Sequence, residues 1–292
     1  MCDGNKPLFD LSDLILPVQE KISRERVDAI SADNRPRTIH FPTTHSSALK
    51  HDPGNSWVGR FTVPFSETIK PIFQEDTDLE LFPTKYNTWW RSIRDDGEFE
   101  TVENWIRNQG QRIFIRDALA MSLALDFNLA SEGKYTAIGD LEHRAKYDRH
   151  LASVHQLADI MVSTISEIAY YRDVEFVSAV PPEPKKEFDL PSILAKLIAQ
   201  KLDITNVTDR FVWRGEKGKL KDAKIDEKWD RLESAGLEFV DDCIEGKTVL
   251  ILDDLYQSGR TMQFVGKQLI DVGAKRIYGL AIVKSWRLTD NQ

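Results

Sequence analysis

The sequence predicts an α/β protein built on a doubly wound parallel sheet, and three observations carry that expectation. Short, almost wholly apolar runs recur through the C-terminal half: Val174 to Val180, Thr248 to Leu252 and Ile277 to Val283. Between them lie stretches with helical periodicity, first Ile193, Leu194, Leu197, Ile198 and Leu202, then Phe264, Val265 and Leu269. Runs that are apolar on both faces need cover on both faces. Their alternation with helices therefore implies parallel strands between two helical layers.

Each element carries its own local signal. Val174 to Val180 closes on Pro181-Pro182, which cannot continue a central strand. Asp189 fits an N-cap with Pro191 in the first turn, so a helix starts there. Gly259 and Arg260 open the next helix, and Gly273 fits its C-terminal cap. Upstream, Leu151, Val154, Leu157, Ala158, Met161, Val162, Ile165 and Ile168 form an apolar stripe that predicts a long helix over 148–171. Residues 98–130 also read as helical, through Phe99, Val102, Trp105 and Ile106, then a second apolar segment after Gly110. Residues 34–55 are rich in Pro, Gly, Ser, Thr and His and read as loop. The organisation expected is an N-terminal region, 1–134, mostly helical, forming a hood or subdomain, and an α/β domain over 135–292.

Composition narrows the function classes. The 292 residues are 41% hydrophobic and 29% charged, an ordinary globular balance. The net charge is −8, with −7 of it in residues 1–170, so a footprint for duplex DNA is not expected. Cys2 and Cys243 are the two cysteines, too few for a disulfide framework or a four-thiolate zinc site. The longest apolar run, Ala118 to Leu125, is far short of the roughly 20 residues of a membrane helix. The start of the chain lacks a signal-peptide pattern, so the expected location is cytoplasmic. His40, His45 and His51 have no metal-ligand spacing, and His143, His150 and His155 complete no HExxH motif. Trp57, Trp89, Trp90 and Trp105 cluster in the N-terminal region, as the core of a subdomain or as a surface that stacks on a base.

The segment that carries chemistry runs from Val249 to Met262: a buried strand, the adjacent acids Asp253 and Asp254, a short loop, then a helix. In open α/β sheets, ligands bind at the carboxyl ends of strands. The loop Gln257-Ser258-Gly259-Arg260-Thr261 stands at a helix N-terminus, where backbone N–H groups and hydroxyls suit a phosphate. Gly259 permits close backbone approach to an anion. Two carboxylates beside a phosphate nest make sense as acceptors for sugar hydroxyls or as neighbours of a divalent cation.

This segment resembles the phosphoribosyl-diphosphate (PRPP) motif of the type I phosphoribosyltransferases: an apolar strand, an acid pair, two apolar positions, then a Thr/Ser-Gly-x-Thr loop. More weakly, residues 135–285 are similar to the ComF-like branch of that family, through Lys146-Tyr147 before a long helix and Val180 to Lys186 after a strand. The cysteine-rich zinc ribbon of that branch is missing. The loop after the first strand is reduced to Pro182-Glu183-Pro184-Lys185-Lys186. The resemblance implies that Asp253 and Asp254 hold the ribose hydroxyls and that Gln257, Ser258, Gly259, Arg260 and Thr261 bind the 5′-phosphate. It implies that Lys185 or Lys186 faces the diphosphate. The charged segment 214–228, with Arg214, Lys217, Lys219 and Lys221, reads as a closing loop or as a solvated surface loop; in the first case Lys219 joins Lys185, Asp253 and Asp254 in the catalytic set.

The implied reaction displaces diphosphate from PRPP with a nitrogen nucleophile of nucleobase type. Mg²⁺ is the implied cofactor, carried mainly by PRPP, with Asp253 or Asp254 as the protein-side ligand. Gln257 stands where the 6-oxopurine branch has an aspartate, and a glutamine is no general base. The alternative is a non-catalytic PRPP- or nucleotide-sensing module, such as a DNA-uptake or defence accessory, that acts as a homodimer or through a protein partner. Because the sequence stops a few residues past the last strand, specificity is expected to come from the N-terminal region.

Overall fold

The structure is a computed structural model that describes residues 17–52, 56–182, 186–215 and 227–286. In chain order its elements are α1 (Arg24–Ala32), β1 (Thr38–Ile39), β2 (Leu49–His51), β3 (Gly59–Val63), α2 (Ile69–Thr77), β4 (Phe82–Pro83), β5 (Trp89–Ile93) and α3 (Asp96–Gln109). Then come β6 (Ile113–Ile115), β7 (Met121–Phe127), β8 (Leu129–Ser131), β9 (Lys134–Tyr135), α4 (Ala137–Tyr147), α5 (Leu151–Glu167), β10 (Phe176–Ala179), α6 (Leu190–Leu202) and β11 (Thr205–Asn206). The last are β12 (Phe211–Trp213), α7 (Glu227–Ser234), β13 (Leu237–Phe239), β14 (Thr248–Tyr256), α8 (Arg260–Asp271) and β15 (Arg276–Lys284).

The central sheet has seven strands in the order β1-β6-β7-β15-β14-β10-β11. Strands β7, β15, β14, β10 and β11 run parallel, while β1 and β6 add an antiparallel edge. The strand period of two divides β14 between two cores. Leu250 and Leu252 face α4, α5 and α6, through Leu141, Leu157, Met161, Leu194 and Ile198. Val249 and Ile251 face α8, α7 and α1, through Val265, Leu269, Trp229 and Val27. All four strand residues are fully buried, so the sheet is covered on both faces as the apolar runs require. Asp189 caps α6 by accepting the Ser192 N–H at 3.0 Å, and proline occupies the first turn. Gly273 follows α8 with φ +96, the left-handed conformation that ends the helix.

The central sheet draws strands from both sides of residue 135. The sequence predicts helix over 98–130, and α3 forms, but Ile113–Ile115 and Met121–Phe127 are strands. The cause is burial: nearly every residue of β7 is inaccessible, and a run apolar on every side has no period that separates strand from helix. The region before 135 also holds a four-stranded antiparallel sheet, β2-β3-β5-β4, beside α1, α2 and α3. Its core is aromatic. Trp105 meets Phe41, Phe61, Phe73 and Phe114 with ring centroids 5.0 to 6.1 Å apart, and its indole donates to Asp76 at 2.9 Å. Among the described residues no helix is long and apolar enough to cross a membrane.

Glu98 fastens α3 to β5. It accepts from Arg91 at 2.8 Å, from Arg94 Nε at 2.6 Å and from the Arg94 backbone at 3.0 Å. Burial pushes its carboxyl up, but the bonds from Arg94 and Arg91 outweigh that and hold it at about 2. A depressed carboxyl contributes stability that is complete above its ordinary value of 4.5 and is lost as pH falls toward 2. Urea denaturation at pH 6, 4 and 3 is therefore expected to show the stability gap between wild type and Glu98→Gln narrowing as pH drops. A constant gap would contradict this assignment.

Candidate functional site

Pairing along β14 differs on its two flanks, and this opens the site. Toward β10 the ladder ends at Ala179 opposite Leu252. Toward β15 it continues, with Asp253 opposite Ala281, Leu255 opposite Val283 and Tyr256 opposite Lys284. Asp253 and Asp254 thus emerge from a central strand where its neighbour has stopped. That is the crevice position at which open α/β sheets bind ligands.

The two acids have different surroundings. The Asp254 side chain is 13% exposed and pairs with Lys146 of α4 at 2.8 Å. Lys146 also lies 3.4 Å from Glu142, one helical turn back. Although burial alone disfavours the ammonium, the Asp254 and Glu142 carboxylates hold Lys146 above its ordinary value. Asp253 has no such partner. Burial, and then the Asp254 charge, push its carboxyl well above the usual range; the Asp254 N–H on Oδ1 at 2.9 Å and the charge of Lys146 oppose this only in part. One acid is paired with a lysine, and the other, without such a partner, is held toward neutrality.

The loop that follows is built on glycine. Gly259 has φ +74 and is the N-cap of α8, and a Cβ there would overlap the Tyr256 phenol folded beneath it. No side chain caps the first turn of α8, so its N–H groups are available to an anion. Beneath the loop, Tyr256 donates to Asp117 Oδ2 at 2.9 Å. Asp117 also accepts from Ser122 at 2.8 Å and from the Leu119 N–H at 2.9 Å. Arg37 donates to the Ser258 carbonyl at 3.3 Å. The loop is therefore shaped by residues far upstream.

The residues singled out in the sequence fall in several places. Asp253 and Asp254 lie at the end of β14, Gln257, Ser258 and Gly259 form the loop, and Thr261 stands in the first turn of α8, so they make one continuous segment. Arg260 belongs to the same segment but turns inward: it is 6% exposed and pairs with Asp28 of α1 at 2.6 Å. Gln257 accepts from Lys228 of α7 at 3.1 Å. Lys186 pairs with the capping Asp189 at 2.7 Å. Asp189 lies close enough to Asp253 for its charge to raise that carboxyl, which puts Lys186 on the same side of the crevice. Lys185, Lys217, Lys219 and Lys221 lie outside the described residues. Arg214 pairs with Glu238 at 3.1 Å, and Trp213 donates to the Pro182 carbonyl at 3.0 Å, joining the two-stranded β12–β13 sheet to the turn after β10.

Four side chains were missed as parts of this site. Lys146 has a sequence signal, the Glu142–Lys146 spacing on one helical face. Tyr256 lies within the Val249–Met262 segment, but only as one of its two apolar positions; Arg37 and Asp117 have no signal, because tertiary packing alone brings them to it.

The fold and the site define a class: a doubly wound α/β protein with an acid pair and a glycine-hinged anion-type loop at the carboxyl edge of its central strand. No protein-family model matches the chain, and no curated protein matches it. Partial likeness exists among solved structures. Purine phosphoribosyltransferase from Pyrococcus horikoshii Ot3 shares 15% identity over 47% of this chain and 85% of its own, with a TM-score of 0.32. Adenine phosphoribosyltransferase from Leishmania tarentolae shares 11% over 55% of this chain and 91% of its own, with a TM-score of 0.34. Glutamine PRPP amidotransferase from B. subtilis shares 12% over 68% of this chain and 42% of its own, with a TM-score of 0.35. None of these three is a ComF-like protein by name.

Proposed function

We propose that the chain binds PRPP and transfers its phosphoribosyl group to a nitrogen nucleophile of nucleobase type, releasing diphosphate. The observation that carries this reading is the continuous run from the acid pair through Gly259 to the uncapped first turn of α8, placed beyond the end of β10. In this reading the first-turn N–H groups and the Ser258 and Thr261 hydroxyls take the 5′-phosphate. The acids take the ribose hydroxyls by accepting hydrogen bonds. Lys186, with Lys185 and Lys219 of the segments outside the described residues, faces the diphosphate, where negative charge grows as the bond to the anomeric carbon breaks. Catalysis is then mostly positioning and screening.

The acids fit poorly as direct metal ligands. Asp254 already carries Lys146, Asp253 is held toward neutrality, and no group of three His, Cys, Asp or Glu side chains gathers for a metal among the described residues. Mg²⁺ therefore belongs to the substrate in this proposal, carried on the oxygens of PRPP.

A second reading has an observation in its favour. Gln257 is engaged by Lys228 and offers no general base, which suits a protein that binds PRPP without turnover. One experiment separates the two. The purified chain is given PRPP, Mg²⁺ and a nucleobase panel, with thermal shift and diphosphate release both measured. The transferase reading expects both signals. A shift without release supports the sensor, and the absence of any PRPP-dependent shift removes both.

A further inference from the structure

The tryptophans divide in a way that the proposed transferase does not use. Trp105 is core, but Trp90 lies opposite Thr62 in the β3–β5 register, and Thr62 faces away from the core residues Phe61 and Val63. Trp57 packs edge-on against Trp90, with centroids 6.3 Å apart. Opposite Trp90 on its other side is Phe82, 47% exposed. The outer face of this antiparallel sheet is therefore aromatic.

Beside those rings the same face is basic. Lys50 and Arg60 are direct cross-strand partners, and Arg60 is opposite Ser92. Like charges directly opposite in a sheet destabilise it, so this pairing is a cost to the fold unless an anion joins it. Neither side chain forms a salt bridge among the described residues. Both line a cavity of about 420 Å³ with Thr44, Ser47, Thr62 and Thr88. Thr44 and Thr88 are hydrogen-bonded within the protein, but two cations with the hydroxyls of Ser47 and Thr62 still make a phosphate-binding chemistry, since they supply charge and hydrogen-bond donors together. Thr62 lines the cavity and is the cross-strand partner of Trp90, so the cavity adjoins the aromatic surface.

We infer that the outer face of the β2-β3-β5-β4 sheet binds a nucleotide, with its phosphates between Lys50 and Arg60 and its base against Trp90. The cavity is of the size that holds one small ligand. The surrounding half of the chain carries −7, which disfavours a long polyanion but leaves two local cations free to hold one nucleotide. This site is separate from the acid pair and loop and does not depend on what they bind.

The test is calorimetric titration with ATP in the presence of saturating PRPP, together with tryptophan fluorescence. Wild type is expected to bind ATP with quenching. Lys50→Ala with Arg60→Ala weakens binding at least about tenfold, because two charge-assisted contacts are lost. Trp90→Ala weakens it about fivefold or more, because stacking is lost, and removes most of the quenching. All variants keep the wild-type melting temperature within a few degrees. Absence of ATP binding at millimolar concentration overturns the inference, as does an unchanged affinity in the Lys50/Arg60 variant. Tripolyphosphate binding as tightly as ATP overturns the role of the base. A twelve-nucleotide oligo-dT binding more tightly than ATP overturns the single nucleotide in favour of a strand.

Discussion

Asp253→Asn is expected to make the protein more stable and worse at holding PRPP. Burial and the neighbouring Asp254 charge raise the Asp253 carboxyl well above its ordinary value of 3.8. A carboxyl raised in the folded state costs stability as pH climbs past its unfolded value, because the unfolded chain ionises first. Asparagine removes that cost and keeps an oxygen to accept the Asp254 N–H. The expected gain near neutral pH is about 0.5–2 kcal/mol, or roughly 2–6 °C in melting temperature. The same change puts an amide donor where a carboxyl oxygen would accept from a ribose hydroxyl, and PRPP affinity is expected to fall about 10- to 100-fold. Melting curves with and without PRPP read both effects. A variant that melts lower than wild type contradicts the electrostatic account, and one with an undiminished PRPP shift removes Asp253 from the ligand site.

Lys146→Met is expected to be the most damaging single change near the site. Its ammonium is the cation shared by Asp254 and Glu142, and both carboxylates are largely buried, with side chains 13% and 9% exposed. Taking one partner from a buried pair leaves an uncompensated charge, which costs roughly 3–5 kcal/mol. Methionine keeps most of the stem's packing, so the loss is electrostatic. The companion variant Lys146→Met with Asp254→Asn should recover part of the stability, because it removes one of the two orphaned charges and leaves Glu142. Chemical denaturation of the two singles and the double closes the cycle. A double variant no more stable than Lys146→Met shows that Lys146 acts through packing.

Legibility in the sequence followed the range of the interactions. The parallel strands β10, β14 and β15 and the helices α5, α6 and α8 were readable, because apolar runs, caps and a glycine stop are local signals. Strand β7 was not, since a segment buried on all sides loses its period. The acid pair and the loop were readable because they are contiguous. Lys146 lies over a hundred residues from the carboxylate it neutralises. The bond from Arg37 to Ser258 spans 221 positions, and that from Asp117 to Tyr256 spans 139, so no window of sequence contains either. Arg260 shows the converse: its place in the motif suggests a ligand contact, but its long side chain leaves the loop and anchors α1.

The position of β7 carries a consequence for how the chain folds. It lies between β6 and β15, joined in register from Met121 opposite Tyr278 to Phe127 opposite Lys284. More than 150 residues separate these partners, so the sheet closes only after most of the chain is available. Until then β7, already paired with β6 on one side, presents an apolar edge with its N–H and C=O groups unpaired on the other, and that edge is open to pairing with another chain.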